Sequence, residues 1–217
     1  MIMEKVILFQ GDSITDTSRS RETEQNRGCG YATMVSGALG AKEPCKYTFY
    51  NRGISGNRIV DLYARMRKDI LNLKPDYLSI LVGINGIWHE AAYKNGVDAK
   101  KFEMVYNLLV SEIKEALPET KIMLLEPFVL HGSATKDTLE NPTRWEYFRT
   151  ETILRREATK RVAEAQNVLF VPLQEIFDKA DASAPEECYW LYDGVHPTAA
   201  GHELIKQAWL EAFEKIK

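Results

Sequence analysis

Five short apolar runs constrain this chain more than any other feature. They are "KVILF" (Lys5 to Phe9), "YTFYN" (Tyr47 to Asn51), "YLSILVG" (Tyr77 to Gly83), "KIMLLEPF" (Lys121 to Phe128) and "VLFVPL" (Val168 to Leu173). Each is short, rich in Val, Ile, Leu and aromatics, and reads as a strand. Helical patterns lie between them, clearest over Asn57 to Leu73, Asp98 to Leu117 and Trp145 to Gln166, with a last one from Thr198 to Ile216. The order βαβαβαβαβα with near-continuous apolar strands predicts an α/β fold: a parallel sheet linked by right-handed crossovers and covered on both faces. The 217 residues suffice for one such core and require no second, so residues 1–217 are read as a single domain.

Parallel strands place their carboxyl ends on one edge, where ligands bind in open α/β sheets. Asp12 and Ser13 follow the first run, Gly53 the second and Asn85 the third. Two polar insertions, 16–30 and 129–143, also leave strand ends and are expected to form rims or lids. Near the other end, Asp193 and His196 stand three apart before Pro197, a spacing that lets a carboxylate bond one imidazole nitrogen while the other faces a pocket.

Taken singly, these residues have structural readings too. Ser13 suits a helix N-cap or a nucleophile, and Asn57 suits a helix cap. Asp12 holds a turn or, with Asp16, ligates a metal; the segment offers too few convergent oxygens for the second role, so no metal and no cofactor is expected. His202 reads as a satisfied helix-face histidine, and His89 and His131 as rim or surface residues.

Composition removes several classes. A net charge of -3 with 27% charged residues of both signs is not that of a nucleic-acid binder, and Arg65, Arg67, Lys68, Arg155 and Arg156 are read as solvated helix faces. The start lacks a secretory h-region and no run approaches a membrane span, so a cytoplasmic protein is expected. Cys29, Cys45 and Cys188 have no metal-ligand spacing and read as reduced thiols. Self-association into a homo-oligomer is left open.

Together, "GDSIT", "NRGISGN", "LVGIN" and "DGVHPTAAGH" carry a resemblance to the SGNH hydrolases, the GDSL-type esterase and lipase family, over nearly the whole chain. The resemblance implies a three-layer α/β/α sandwich with a five-stranded, flavodoxin-like sheet. It implies that Ser13 is the nucleophile, that Asp193 and His196 complete the triad, and that the Ser13 and Gly53 amides and Asn85 form the oxyanion hole. One departure stands out: the family's third block reads G-x-N-D, and Gly86 here replaces the acid.

Read physically, His196 Nε2 would take the Ser13 proton as Oγ attacks an ester carbonyl, while Asp193 orients the imidazole and the three donors meet the developing oxyanion. An acyl-enzyme and its hydrolysis follow. Arg52, Arg58, Trp88, His89 and Trp190 are candidate substrate contacts. Aromatics beside polar groups and the absence of a long apolar lid favour a small-molecule or oligosaccharide ester, foremost an O-acetyl carbohydrate. The alternatives are a longer acyl ester, thioester or lysophospholipid, and an inactive carbohydrate-binding cleft.

Overall fold

The computed structural model describes residues 4–183, 186 and 188–217. In chain order the elements are β1 (Lys5–Gly11), α1 (Ser13–Asp16), α2 (Tyr31–Lys42), β2 (Tyr47–Asn51), α3 (Ile59–Ala64), α4 (Met66–Asp69), β3 (Tyr77–Leu81), α5 (Ile84–Tyr93), α6 (Ala99–Ala116), β4 (Lys121–Leu125), α7 (Arg144–Gln166), β5 (Leu169–Val171), α8 (Gln174–Asp181) and α9 (Ala199–Glu214). The five strands pair in parallel in the order β2-β1-β3-β4-β5, the flavodoxin-like order.

Strand alternation divides the core into two halves. Ile7, Phe9, Leu81, Met123 and Leu125 point to a layer completed by α2 and α9, with Tyr31, Val35, Trp209 and Phe213 fully buried. Leu8, Leu78, Ile80, Ile122 and Leu124 point the other way, into a layer completed by α3, α6 and α7 through Leu62, Tyr106, Ile113 and Val162. Helices on both faces of a parallel sheet make the α/β/α sandwich that the alternation of runs predicts.

The helix expected over Asn57 to Leu73 is divided into α3, α4 and a 3-10 turn at Leu71–Leu73. The break is at Arg65, whose backbone leaves helical geometry (φ -105°, ψ 6°). Its half-buried guanidinium donates to Asn57 Oδ1 (2.8 Å), to the carbonyls of Arg52 (2.8 Å) and Gly11 (3.1 Å), and to Asp69 Oδ2 (2.6 Å). Arg65 is therefore no solvated face; it ties the ends of β1 and β2 together under the strand edge. Arg155 is likewise buried, donating to the Val97 carbonyl (2.6 Å) and pairing with Glu151, and Arg156 pairs with buried Glu126 (2.8 Å). Arg67 and Lys68 are exposed as expected.

Among the described residues no helix is long and apolar enough to cross a membrane. The three cysteines are free thiols.

Candidate active site

The strand edge brings Ser13, His196 and Asp193 within hydrogen-bonding reach of one another. The chain leaving β1 turns at once into α1, and the cap of that helix is Asp12, whose Oδ1 accepts the Ile14 N–H (3.0 Å). Ser13 is thus not the cap but the first helical residue, leaving its hydroxyl free to meet His196 Nε2 at 2.9 Å. Asp12 Oδ2 is sealed from solvent without a hydrogen-bond partner among the described residues. Burial pushes the Asp12 carboxyl up to about 7, against the smaller pull of the Ile14 amide.

The segment ahead of α9 supplies the other two groups. Asp193 Oδ1 accepts the N–H of Val195 (2.9 Å) and of His196 (2.7 Å), and Oδ2 lies 2.7 Å from His196 Nδ1. Both carboxylate oxygens are engaged, which fixes the proton of a neutral imidazole on Nδ1 and turns the Nε2 lone pair to Ser13. Burial opposes ionisation of Asp193, but the bonds from the His196 side chain and the two amides outweigh it, and the carboxyl titrates below its usual range. The bond from Asp193 in turn raises the His196 pKa above that of free imidazole, burial opposing.

The insertion at 129–143 does not roof the cleft. It supports the turn from outside: Leu130 N–H donates to the Gly194 carbonyl (2.9 Å) and Ala134 N–H to the Asp193 carbonyl (2.9 Å). Gly194 has φ +94°, and a Cβ on Gly132 would lie 2.3 Å from Gly194 N, so this close backbone approach demands glycine. His131, at the start of this insertion, is exposed and packs edge-on to Trp145 (5.3 Å). The first insertion behaves as expected, since Thr17, Ser18 and Cys29 line the cleft.

The glycine expected in the oxyanion hole lies elsewhere in the structure. Gly53 N–H already donates to Asn51 Oδ1 (2.8 Å), and the residue is buried away from the cleft. Its lack of a side chain serves packing: a Cβ there would lie 2.3 Å from Asp16 N, so glycine lets this loop lie directly on α1. Three residues on, Gly56 lines the cleft with φ +82°, and its N–H has no acceptor among the described residues. Asp16 fixes the loop beside it, Oδ2 accepting both the Ser55 N–H (2.9 Å) and the Ser55 hydroxyl (3.0 Å). Asn57 is not a cap either; its Oδ1 accepts from Arg65 (2.8 Å) and its carbonyl from Asn85 Nδ2 (3.2 Å).

Asn85, the second residue of α5, spends one of its two amide hydrogens on that carbonyl, leaving the other for the cleft. The replacement of an acid by Gly86 has a local reason: the Val97 N–H donates to the Gly86 carbonyl (3.2 Å), and a Cβ on Gly86 would come to 3.1 Å from the Val97 carbonyl oxygen. Backbone from 96–97 lies where a side chain would project, and Asn85 keeps its anchor without the acid.

The cleft over Ser13 has a volume of about 680 Å³. Trp88 and His89 line it, Trp88 standing edge-on to His196 (6.2 Å). Tyr192 stacks on the same imidazole (5.7 Å, 17°). Trp190 does not line it; its ring packs on the core and its carbonyl accepts the Thr198 N–H (3.0 Å). Arg52 is engaged by Glu24 (2.7 Å) and Arg58 by Asp61 (2.9 Å) and the Asn95 carbonyl (2.8 Å), both outside the cleft wall. His202, read from sequence as a helix-face residue, is buried at the foot of the cleft.

Comparison with known proteins gives one consistent answer. The model of the GDSL-like Lipase/Acylhydrolase family matches residues 9–204. An acetylxylan esterase from Geobacillus stearothermophilus is 35% identical over 97% of this chain and 95% of its own. A crystal structure from Parabacteroides merdae described as a GDSL-like lipase superposes with a TM-score of 0.88 at 37% identity, covering 98% of each chain. The crystal structure of Axe2, the acetylxylan esterase of G. stearothermophilus, superposes with a TM-score of 0.78 at 32% identity over 98% of this chain and 96% of that one. Catalytic mutants of Axe2 replace a serine, an aspartate and a histidine, the last two three residues apart.

Proposed function

We propose, for a chain that belongs to the GDSL-like lipase and acylhydrolase family, a serine esterase that removes short acyl groups, chiefly acetyl, from carbohydrate esters. The observation that carries this is the unbroken relay from Asp193 through His196 to Ser13, at 2.7 and 2.9 Å, beside unspent donors on one cleft wall. Ser13 Oγ attacks the ester carbonyl as its proton passes to His196 Nε2, and Asp193 stabilises the imidazolium. The N–H groups of Ser13 and Gly56 and the free amide hydrogen of Asn85 receive the charge on the carbonyl oxygen. His196 then protonates the leaving alcohol, and water activated by the same imidazole hydrolyses the acyl-enzyme.

Two features support a small acyl group on a polar alcohol. Beside the reacting groups the cleft wall carries Thr17, Ser18, Ser55, His89 and Tyr192, and Ile14 is the one branched aliphatic among the described residues that line it. The name acetylxylan esterase belongs to a relative covering nearly all of this chain. A hydrolysis panel tests the reading with acetylated xylo-oligosaccharides, aryl acetates, longer acyl esters and lysophospholipids. The acetylated sugars are expected to give the highest kcat/KM, and Ser13→Ala to lower kcat by on the order of 10⁵-fold or more, as in other serine triads. A preference for long acyl chains sinks the substrate class; a folded Ser13→Ala protein that keeps its activity sinks the nucleophile.

A further inference from the structure

His202 has work at both ends of its ring, and the reaction above uses neither. It lies in the first turn of α9, is 5% exposed, and lines the same cleft as Ser13 and His196. Inside, its Nδ1 accepts the N–H of Tyr31 at 3.2 Å. That amide opens α2, whose N-cap is Gly30 and has no side chain to offer, so the imidazole performs the capping from 171 residues away. Because Nδ1 must accept, the proton of the neutral ring sits on Nε2. Burial keeps the ring neutral by lowering its pKa to about 4.

Nε2–H is therefore a donor of fixed orientation. It has no acceptor among the described residues, yet it is not among the polar atoms sealed from water. The Gly30 backbone lies against the ring, so close that a Cβ there would come to 2.8 Å from His202 Cε1 and 2.6 Å from Thr17 Cγ2. A nearly buried donor left open to a reaction cleft calls for an acceptor on the substrate. In an acetylated sugar the carbonyl oxygen is served by Ser13, Gly56 and Asn85, and the methyl group accepts nothing. The other acceptors are the ester, ring and hydroxyl oxygens of the alcohol half.

We infer that His202 is a specificity-determining residue that donates Nε2–H to a ring or hydroxyl oxygen of the alcohol half of the ester, selecting polyhydroxylated alcohols over simple ones. This rests on the esterase reading given above. Two substitutions separate it from the capping role, because Asn places its amide oxygen near the position of Nδ1 and Gln places its amide nitrogen near that of Nε2. His202→Asn keeps the acceptor for Tyr31 and loses the outer donor; His202→Gln does the reverse.

The readout is the ratio of kcat/KM for an acetylated xylo-oligosaccharide to that for 4-nitrophenyl acetate, two esters with the same acyl group, together with Tm. The expected result is a roughly tenfold fall in the ratio for His202→Asn, chiefly through KM, with Tm within a few degrees of wild type. His202→Gln should recover most of the ratio at a lower Tm. An unchanged ratio in folded His202→Asn overturns the inference, as does a pair of variants whose loss on both esters follows Tm alone. In either case Ser13→Ala still abolishes turnover of both esters, so the esterase reading survives on its own measurement.

Discussion

Replacing Asn85 by alanine tests the electrostatic half of the site in isolation. The Asn85 amide divides its two hydrogens between the Asn57 carbonyl, at 3.2 Å, and the cleft. Its removal takes away one of three donors to the oxyanion and leaves the relay from Asp193 through His196 to Ser13 untouched. In comparable holes one donor is worth about 2.7–4 kcal/mol in the transition state, so kcat should fall about 10²–10³-fold with little change in KM. The structural cost should be small. Asn57 loses one long hydrogen bond but is still held through Oδ1 by Arg65 at 2.8 Å, so the loop bearing Gly56 keeps its place. A bond of that kind contributes about 1 kcal/mol, which for a domain of this size lowers Tm by roughly 2–4 °C. Steady-state kinetics on an acetyl ester and a thermal melt give both quantities. A folded Asn85→Ala protein whose kcat falls less than about fivefold refutes the donor assignment, and a rise in KM at constant kcat shows that Asn85 binds the ground state instead.

The glycine correction predicts opposite behaviour at two positions three residues apart. Gly56→Ala meets nothing nearer than His89 Nε2, at 3.9 Å, and should stay folded at a strain cost of about 1–2 kcal/mol from its positive φ, while kcat falls at least tenfold as the amide shifts. Gly53→Ala drives a Cβ to 2.3 Å from Asp16 N and should lower Tm by well over 5 °C; a Gly53→Ala protein of wild-type Tm would contradict the packing argument. The third prediction concerns pH. Turnover needs neutral His196, whose pKa the bond from Asp193 raises, so kcat/KM should climb through a pH above that of free imidazole. Asp193→Asn removes that charge and should move the climb to lower pH while reducing kcat by on the order of 10⁴-fold, as loss of the acid does in other triads; an unmoved climb would show that another group titrates.

What the sequence made legible was local in its physics. Strands that are short, near-continuous apolar runs could be marked closely, and Tyr47–Asn51 falls where the run "YTFYN" lies. Asp193 and His196 were readable because a three-residue spacing lets a carboxylate reach the imidazole that follows it. The helix Tyr31–Lys42 was not located, because Gly37 and Gly40 interrupt it and its burial comes from packing on α9. Gly53 was misassigned although two local signals distinguished it from Gly56. An asparagine two residues before a glycine is suited to take that glycine's N–H, as Asn51 does, and the Ser55–Gly56 dipeptide is itself a turn signal.

The long-range contacts that brace the strand edge had no local trace. Asp16 holds Ser55 from 39 residues away, Arg65 joins the Gly11 and Arg52 carbonyls, and His202 caps the helix that begins at Tyr31. Arg65 and His202 thereby satisfy backbone groups exposed where a strand or helix ends, and Asp16 satisfies one in the loop that follows β2. A parallel sheet gathers such ends along one edge, where side chains distant in sequence can meet backbone groups that the strands and helices leave unpaired. The same geometry that leaves the Ser13 and Gly56 amides open for an oxyanion thus obliges Asp16, Arg65 and His202 to close their neighbours. Residues that look like surface charges or helix-face polar groups in the sequence acquire their function from the strand edge they are folded against.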